Sequence, residues 1–295
     1  MDIIIGIFEQ GLTYVFLALG LYIAYIILDF PDLTVDGSFP LGAAVTVFLI
    51  VRGVNPMLAL ALSFLSGSIA GIMTGFIHIK LGVKDLLSGL IMQTALYTVN
   101  LFIAGKANVP IFNNDTIFNN QFINSIIPES LSTYKVLLVM IPIAVVLKIA
   151  LDEFMKTKAG FLLKATGDNP TLVKTMAKDP GMIKIQGLAI SNGFVALSGA
   201  LVAQEQKFFE ISMGTGSMVM GLASVVLGMK LLESVSSIKG TTKVIIGSIL
   251  YKTSVALAIM IGFTANSMKL ITATIFLVIL VIGDGKVIRK KVKNA

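Results

Sequence analysis

Cysteine and tryptophan are absent from the 295 residues, and histidine occurs once, as His78. Without a thiol there is no disulfide framework, thiolate metal site or cysteine nucleophile. A single His leaves no pair for metal binding, and without Trp any interfacial aromatic belt rests on Tyr and Phe. Charge is scarce as well: charged residues make up 13% of the chain, against about 25% in ordinary soluble domains. No Gly-x-x-x-x-Gly-Lys-Ser/Thr occurs, so the chain has no P-loop to cradle ATP phosphates. Met1-Asp-Ile-Ile-Ile lacks a basic leader and a small-residue cleavage site, so the first apolar run is expected to remain as a helix.

What is present is apolar: 56% of residues are hydrophobic, and the mean hydropathy is +0.91. Runs of about 18 apolar residues or more read as membrane-spanning helices. The net charge of +7 sits mainly in loops flanking these runs, a positive-inside pattern rather than a nucleic-acid patch. Spans are expected at 4–28, 39–51, 57–79, 85–104, 136–154, 183–203, 217–232, 244–263 and 270–282. The fold class is therefore all-α, a multi-pass bundle of about 8–10 helices in a bacterial cell membrane. Counting back from the basic tail (Lys286, Arg289, Lys290, Lys291, Lys293) gives about nine crossings with an external N-terminus. Residues 1–295 form one transmembrane domain: 1–104 a first repeat, 105–133 an external loop, 156–182 a cytoplasmic loop, 183–283 a second repeat.

The repeat is visible in Asp36-Gly-Ser-Phe-Pro-Leu-Gly-Ala-Ala-Val, which matches Thr215-Gly-Ser-Met-Val-Met-Gly-Leu-Ala-Ser. With an odd number of crossings between them, the copies run in opposite directions, as in the inverted repeats common in transporters. Both open a short helix of about 21–24 Å at 1.5 Å per residue, less than the hydrocarbon core of about 30 Å. Gly37-Ser38 and Gly216-Ser217 are thus expected to place free helix amides inside the bundle, suited to a carboxylate. Lys252 lies mid-span, where a cation normally faces the bundle interior. Asp36 and Glu205 are its candidate partners near the breaks, and these residues make up the candidate translocation pathway. Ser63, Gly67, Gly71 and Gly75 form a stripe of small residues that lets helices approach closely, chiefly within the bundle.

Residues 160–181 carry the most regular charge in the chain. Asn169-Pro170 is a cap followed by Pro at the first helical position, and Asp179-Pro180-Gly181 is expected to stop that helix, giving a short helix outside the bilayer over about 164–178. Lys-Ala-Thr-Gly-Asp-Asn-Pro (164–170), Gly-Leu-Ala-Ile-Ser-Asn-Gly (187–193), Leu-Ser-Gly-Ala-Leu-Val-Ala-Gln (197–204) and Gly-Thr-Gly-Ser-Met-Val-Met-Gly-Leu-Ala-Ser-Val-Val-Leu-Gly (214–228) resemble the membrane-spanning subunit of binding-protein-dependent ABC importers. The branch is that of branched-chain amino-acid and ribose permeases, with the nearest likeness to the aromatic (tryptophan/tyrosine-type) subgroup. The resemblance implies that Lys164, Thr166, Gly167, Asp168, Asn169, Pro170 and Lys174 belong to a coupling helix that docks on a separate ATPase subunit. That subunit would hold ATP and Mg; the chain itself binds no cofactor and catalyses no reaction. It further implies a solute-binding protein, a second permease copy or paralogue, and a small solute such as an amino acid. Family members usually have Arg at the position of Lys164 and Gly at that of Ala177. The alternative, an ion-coupled secondary transporter, would need titratable residues mid-bundle, of which the chain has few.

Overall fold

The computed structural model describes residues 2–281 apart from 236, 264–266, 268 and 279. The basic tail at 286–293 lies outside them. Seven helices among the described residues are long and apolar enough to cross a membrane, and two shorter apolar helices accompany them. The first span runs Ile3–Ile27 and consists of α1 (Asp2–Thr13), α2 (Val15–Leu21) and a π-helical end at Tyr22–Ile27. Next come α3 (Val35–Val51), α4 (Pro56–Lys80), α5 (Asp85–Ala104), strand β1 (Asn108–Pro110), α6 (Gln121–Ile126), a 3-10 turn (Glu129–Tyr134) and α7 (Lys135–Phe154). The second half holds α8 (Lys158–Asp168), α9 (Pro170–Thr175), α10 (Pro180–Gln206), β2 (Phe208–Glu210), a 3-10 turn (Ile211–Gly214), α11 (Ser217–Leu231) and α12 (Gly240–Met260). A short apolar helix, α13, covers Lys269–Val278.

Three of these helices open in the same way. Asn55, Asn169 and Asp179 accept amide hydrogen bonds at the starts of α4, α9 and α10, each with Pro at the first helical position. Proline gives up an amide that the first turn cannot satisfy anyway, and the cap serves those that remain.

The bundle is arranged around α10, whose side chains are buried without interruption from Ser191 to Gln204. Against it lie α2, α3 and α4. The α4 stripe faces α10: a Cβ on Gly67 would stand 2.3 Å from the Asn192 carbonyl oxygen, and one on Gly71 2.1 Å from that of Leu188. The stripe therefore serves packing within the bundle. Antiparallel contact of the first span with α10 is fixed by Ser191 Oγ donating to the Gly20 carbonyl and Ser198 Oγ to that of Thr13, both at 2.7 Å.

The contacts have a two-fold internal symmetry. Just as α10 packs on α3 and α4, α2 packs on α11 and α12, and the pairs α3–α4 and α11–α12 correspond. Gly42 lies against the Ala196 carbonyl, and its counterpart Gly221 lies against Leu17 and Leu21. The sequence repeat thus reappears as an inverted structural repeat in which each half lends its leading helix to the other. At one end, β1 pairs antiparallel with β2, Val109 opposite Phe209, tying the long 105–133 loop to the exit of α10. At the other, Asp152 accepts from Lys239, Lys148 and Thr241, fastening α7 to the start of α12.

Candidate functional site

Helices α3 and α11 begin at one place. Asp36, in the first turn of α3, accepts from Gly216 N on Oδ2 (3.1 Å) and from Ser217 Oγ (2.9 Å) and Met218 N (2.7 Å) on Oδ1. A residue of the first half therefore caps the opening helix of the second, at Gly216, whose φ of +85° suits only glycine well. This corrects the expectation of free amides. Asp36 takes the amides of Gly216 and Met218, and Gly37 N and Ser38 N both donate to the Thr34 carbonyl at 2.8 Å. Buried backbone donors without a partner are costly, and the chain supplies its own acceptors here.

Behind the junction lies a polar chain that sequence reasoning misses. Ser38 Oγ donates to Asn192 Oδ1 (2.7 Å), Asn192 Nδ2 to Asp32 Oδ2 (2.6 Å), and Thr34 N to Asp32 Oδ1 (2.9 Å). All four residues are fully buried. Asp32 and Asn192 are 160 positions apart in the chain, so in the sequence Asp32 is only one of three acids in a polar interruption that also holds Asp29 and Asp36.

A cavity of about 360 Å³ adjoins Asp36 between α3, α5 and the Ile211–Gly214 turn. Its walls include Gln93, Thr94, Tyr97 and Asn100 of α5 with Ser212 and Thr215 opposite. Asn100 is fully buried, and its Nδ2 donates to the Gly37 carbonyl at 3.1 Å.

Lys252 and Glu205 stand elsewhere. Lys252 is buried, with Nζ 3.6 Å from the centre of the Tyr14 ring, and that ring stacks on Phe39 at 5.7 Å. Its charge is met by a π face rather than by Asp36, whose carboxylate is engaged at α11. Glu205, in the last turn of α10, interacts with Lys252 through space without forming an ion pair.

The coupling stretch differs from the expected single helix. Lys164, Thr166, Gly167 and Asp168 belong to α8, which ends at Asn169; only Pro170 and Lys174 lie in α9. Asn169 Oδ1 caps α9 through Thr171 N and Leu172 N. The stop is not Asp179-Pro180-Gly181, which instead opens α10. It is a Schellman turn: Ala177 N bonds the Lys174 carbonyl, Lys178 N bonds that of Val173, and Ala177 takes φ +55°. Leu172, Lys174 and Met176 are exposed, while Val173 alone of α9 is buried. On α8, Thr166 faces inward, and a Cβ on Gly167 would stand 1.9 Å from the Ile27 carbonyl oxygen. Lys156, in the turn before α8, donates to Glu153 Oε1 at 2.6 Å, and that bond raises the pKa of its ammonium above the ordinary value.

Residues 3–281 match the family described as branched-chain amino acid transport system/permease component. A protein of Clostridioides difficile named tyrosine transport system permease protein is 39% identical over 291 residues, covering 99% of this chain and 95% of the relative. A Methanocaldococcus jannaschii protein named probable branched-chain amino acid transport permease protein LivH is 27% identical over 238 residues, 76% of this chain and 74% of the relative. Among solved structures, PsaBC from Streptococcus pneumoniae in complex with Fab is similar in fold, with a TM-score of 0.51 at 12% identity, over 94% of this chain and 89% of that one.

Proposed function

The chain belongs to the branched-chain amino acid transport system/permease component family, and on that premise we propose that it carries a neutral amino acid of the tyrosine type across the membrane. It is a multi-pass membrane protein and the permease subunit of an ABC-type importer for a small, amino-acid-related solute. Such subunits transport and do not catalyse; ATP and Mg belong to a separate ATPase. The observation that carries the choice of solute is the 39% identity to the tyrosine permease over nearly the whole of both chains.

In the proposed assembly a solute-binding protein delivers the amino acid from outside, and a second permease copy completes the path. The ATPase docks on α9, whose exposed Leu172 and Met176 beside Lys174 offer an apolar contact with a basic rim. The junction of Asp36, Gly37, Ser38, Gly216 and Ser217 lies on the path, with Lys252 and Glu205 supporting its gate from α12 and α10. The test is uptake of labelled tyrosine and leucine into proteoliposomes holding the permease with its ATPase and binding protein. ATP-dependent uptake of tyrosine is the expected result. Uptake driven by a proton or sodium gradient, with no ATPase associated, would assign the chain to the ion-coupled class instead.

A further inference from the structure

Two cavities on the surface of the bundle run into one another between α4 and α7. The first, of about 800 Å³, takes in Pro56 and Met57 of α4, Val139 and Ile143 of α7, and much of the Asn-rich stretch 113–123. The second, of about 690 Å³, is bounded by residues of α4 between Met57 and Leu65, residues of α7 between Pro142 and Leu147, and Leu197 of α10. Met57 and Ile143 belong to both, so the two form one trench. On each helix the order is the same, the first cavity nearer the helix start and the second further along. Helix α4 packs on α3, α5 and α10, and α7 on α1 and α12, so the trench is a gap between two packed groups of helices.

The chemistry changes along it. No side chain that lines the second cavity carries a nitrogen or oxygen, and Ala61, Leu65 and Val146 in it are exposed. Both helices belong to spans long and apolar enough to cross a membrane. From Met57 to Leu65 the rise is about 12 Å at 1.5 Å per residue, close to half of a hydrocarbon core of about 30 Å. The first cavity is polar where the loop closes it. Asp115 is exposed and is the one charged residue in that wall among the described residues. The exposed side chains of Asn113 and Gln121 make no hydrogen bond among the described residues, and Asn55, which caps α4 through Oδ1, keeps its Nδ2 to donate. The wall thus offers one anion and several amide donors.

We propose that the trench holds a phospholipid of the leaflet on that side, with a hydrocarbon chain between α4 and α7 and a primary-amine headgroup at Asp115. An amphiphile fits because the polar and apolar cavities follow one another along both helices as its two parts do. The ammonium of an ethanolamine headgroup meets the Asp115 carboxylate, and its phosphate accepts from the amides of Asn113 and Gln121. An anionic headgroup is drawn to Lys and Arg, and here it would meet Asp115 instead. A second copy of the chain could cover the apolar part, but nothing in an apolar helix face answers the polar one. The site goes beyond the importer reading, since it needs only that the chain spans a membrane.

The experiment uses the full chain in detergent micelles at pH 7 with a trace of phosphatidylethanolamine that carries a diazirine in one acyl chain. A parallel sample receives phosphatidylglycerol with the same chain, and mass spectrometry maps the adducts after illumination. Adducts are expected at 57–65 and 142–147, denser from the ethanolamine probe by up to about five-fold, the worth of an exposed ion pair. Asp115→Asn, at an exposed position, should equalise the two probes and leave the adduct positions unchanged. Ala61→Trp puts a bulky ring on an exposed residue of the trench and should lower labelling at 142–147 several-fold with either probe. The proposal is overturned by adducts no denser in the trench than on the exposed Leu86 and Leu90 of α5. Equal labelling by the two probes in the unaltered chain, or a preference that survives Asp115→Asn, overturns it too. So does a dimer in which 57–65 and 142–147 are shielded from both probes, the result that a second copy in the trench would give.

Discussion

At the level of single residues, Asp36 does two things that sequence reasoning separates. Sequence alone makes it a pathway acid and a partner for Lys252; the structure makes it the cap of a helix from the other half of the chain. Asp36→Ala is expected to cost about 1–2 kcal/mol, the upper range for losing a cap, because two amides and the Ser217 hydroxyl lose their acceptor. Thermal unfolding in detergent measures this, and Asp36→Asn, which keeps an acceptor, should lose less. Ala177 offers the opposite sign. Its φ of +55° disfavours any residue with a Cβ, and the family resemblance implies Gly there. Ala177→Gly should therefore gain about 1 kcal/mol, read as a raised unfolding midpoint; an unchanged or lower one would mean that the turn relaxes without strain. Lys252→Met should fold normally, since an apolar chain of similar length replaces a buried cation, while uptake falls if the gate uses the charge. Normal uptake would leave Lys252 only its packing on Tyr14. Asp32, Asn192 and Asn100 escape a sequence reading because what each bonds to is far away in the chain: the two asparagines lie in apolar runs, and Asp32 is one of three acids between 29 and 36.

At the level of elements, the span positions are legible because apolar length is a local property, and so is the Asn169-Pro170 start. The Asp179-Pro180 pair misleads because the same two residues can break a preceding helix or supply the cap and first residue of a new one. The deciding feature is the left-handed Ala177 two residues earlier, which no propensity for Ala would suggest. As a result α9 is a short rung held by one buried residue, Val173, and its outward face is free to dock. Leu172→Asp should leave the unfolding midpoint unchanged, since Leu172 is 51% exposed, yet should reduce ATPase copurification. Retention of the ATPase by that variant would place the docking surface elsewhere, on the turn between α11 and α12 for example. The α4 stripe belongs to this level too. Gly71→Leu forces side-chain atoms into the α10 backbone, and overpacking of this kind costs about 1–3 kcal/mol. The loss should appear as a lowered unfolding midpoint, whereas an interface with a second copy would show it as altered assembly instead.

At the level of the whole molecule, the repeat explains how a small movement of α9 can reach the centre of the membrane. Asn169 ties α9 directly to α8, and α8 is seated on the end of the first span, with Gly167 against the Ile27 carbonyl. From Ile27 the chain runs straight into the segment that holds Asp32 and Thr34, which grips Asn192 of α10 and leads within a few residues to Asp36. Asp36 in turn holds the start of α11. The links are chain connections, the close Gly167–Ile27 backbone contact and hydrogen bonds that are exposed at Asn169, buried at Asp32 and part-buried at Asp36, so a rigid displacement at α9 has a continuous route to the junction. The opening turns of α3 and α11 are joined through the Asp36 carboxylate, and in the proposed importer this junction is where the two halves part. Gly167 is the link that can be altered without touching the docking face or the pathway. Gly167→Ala puts a methyl group where only 1.9 Å separates it from the Ile27 oxygen, so α8 must lift from the first span. The complete importer carrying this substitution should still bind its ATPase and hydrolyse ATP, because α9 keeps its cap and its exposed face, but uptake per ATP should fall several-fold. The measurement is the ratio of solute uptake to phosphate release in the same proteoliposomes. Parallel losses of uptake and hydrolysis would point to failed docking, and an unchanged ratio would show that the signal reaches the junction by some route other than the α8 seat.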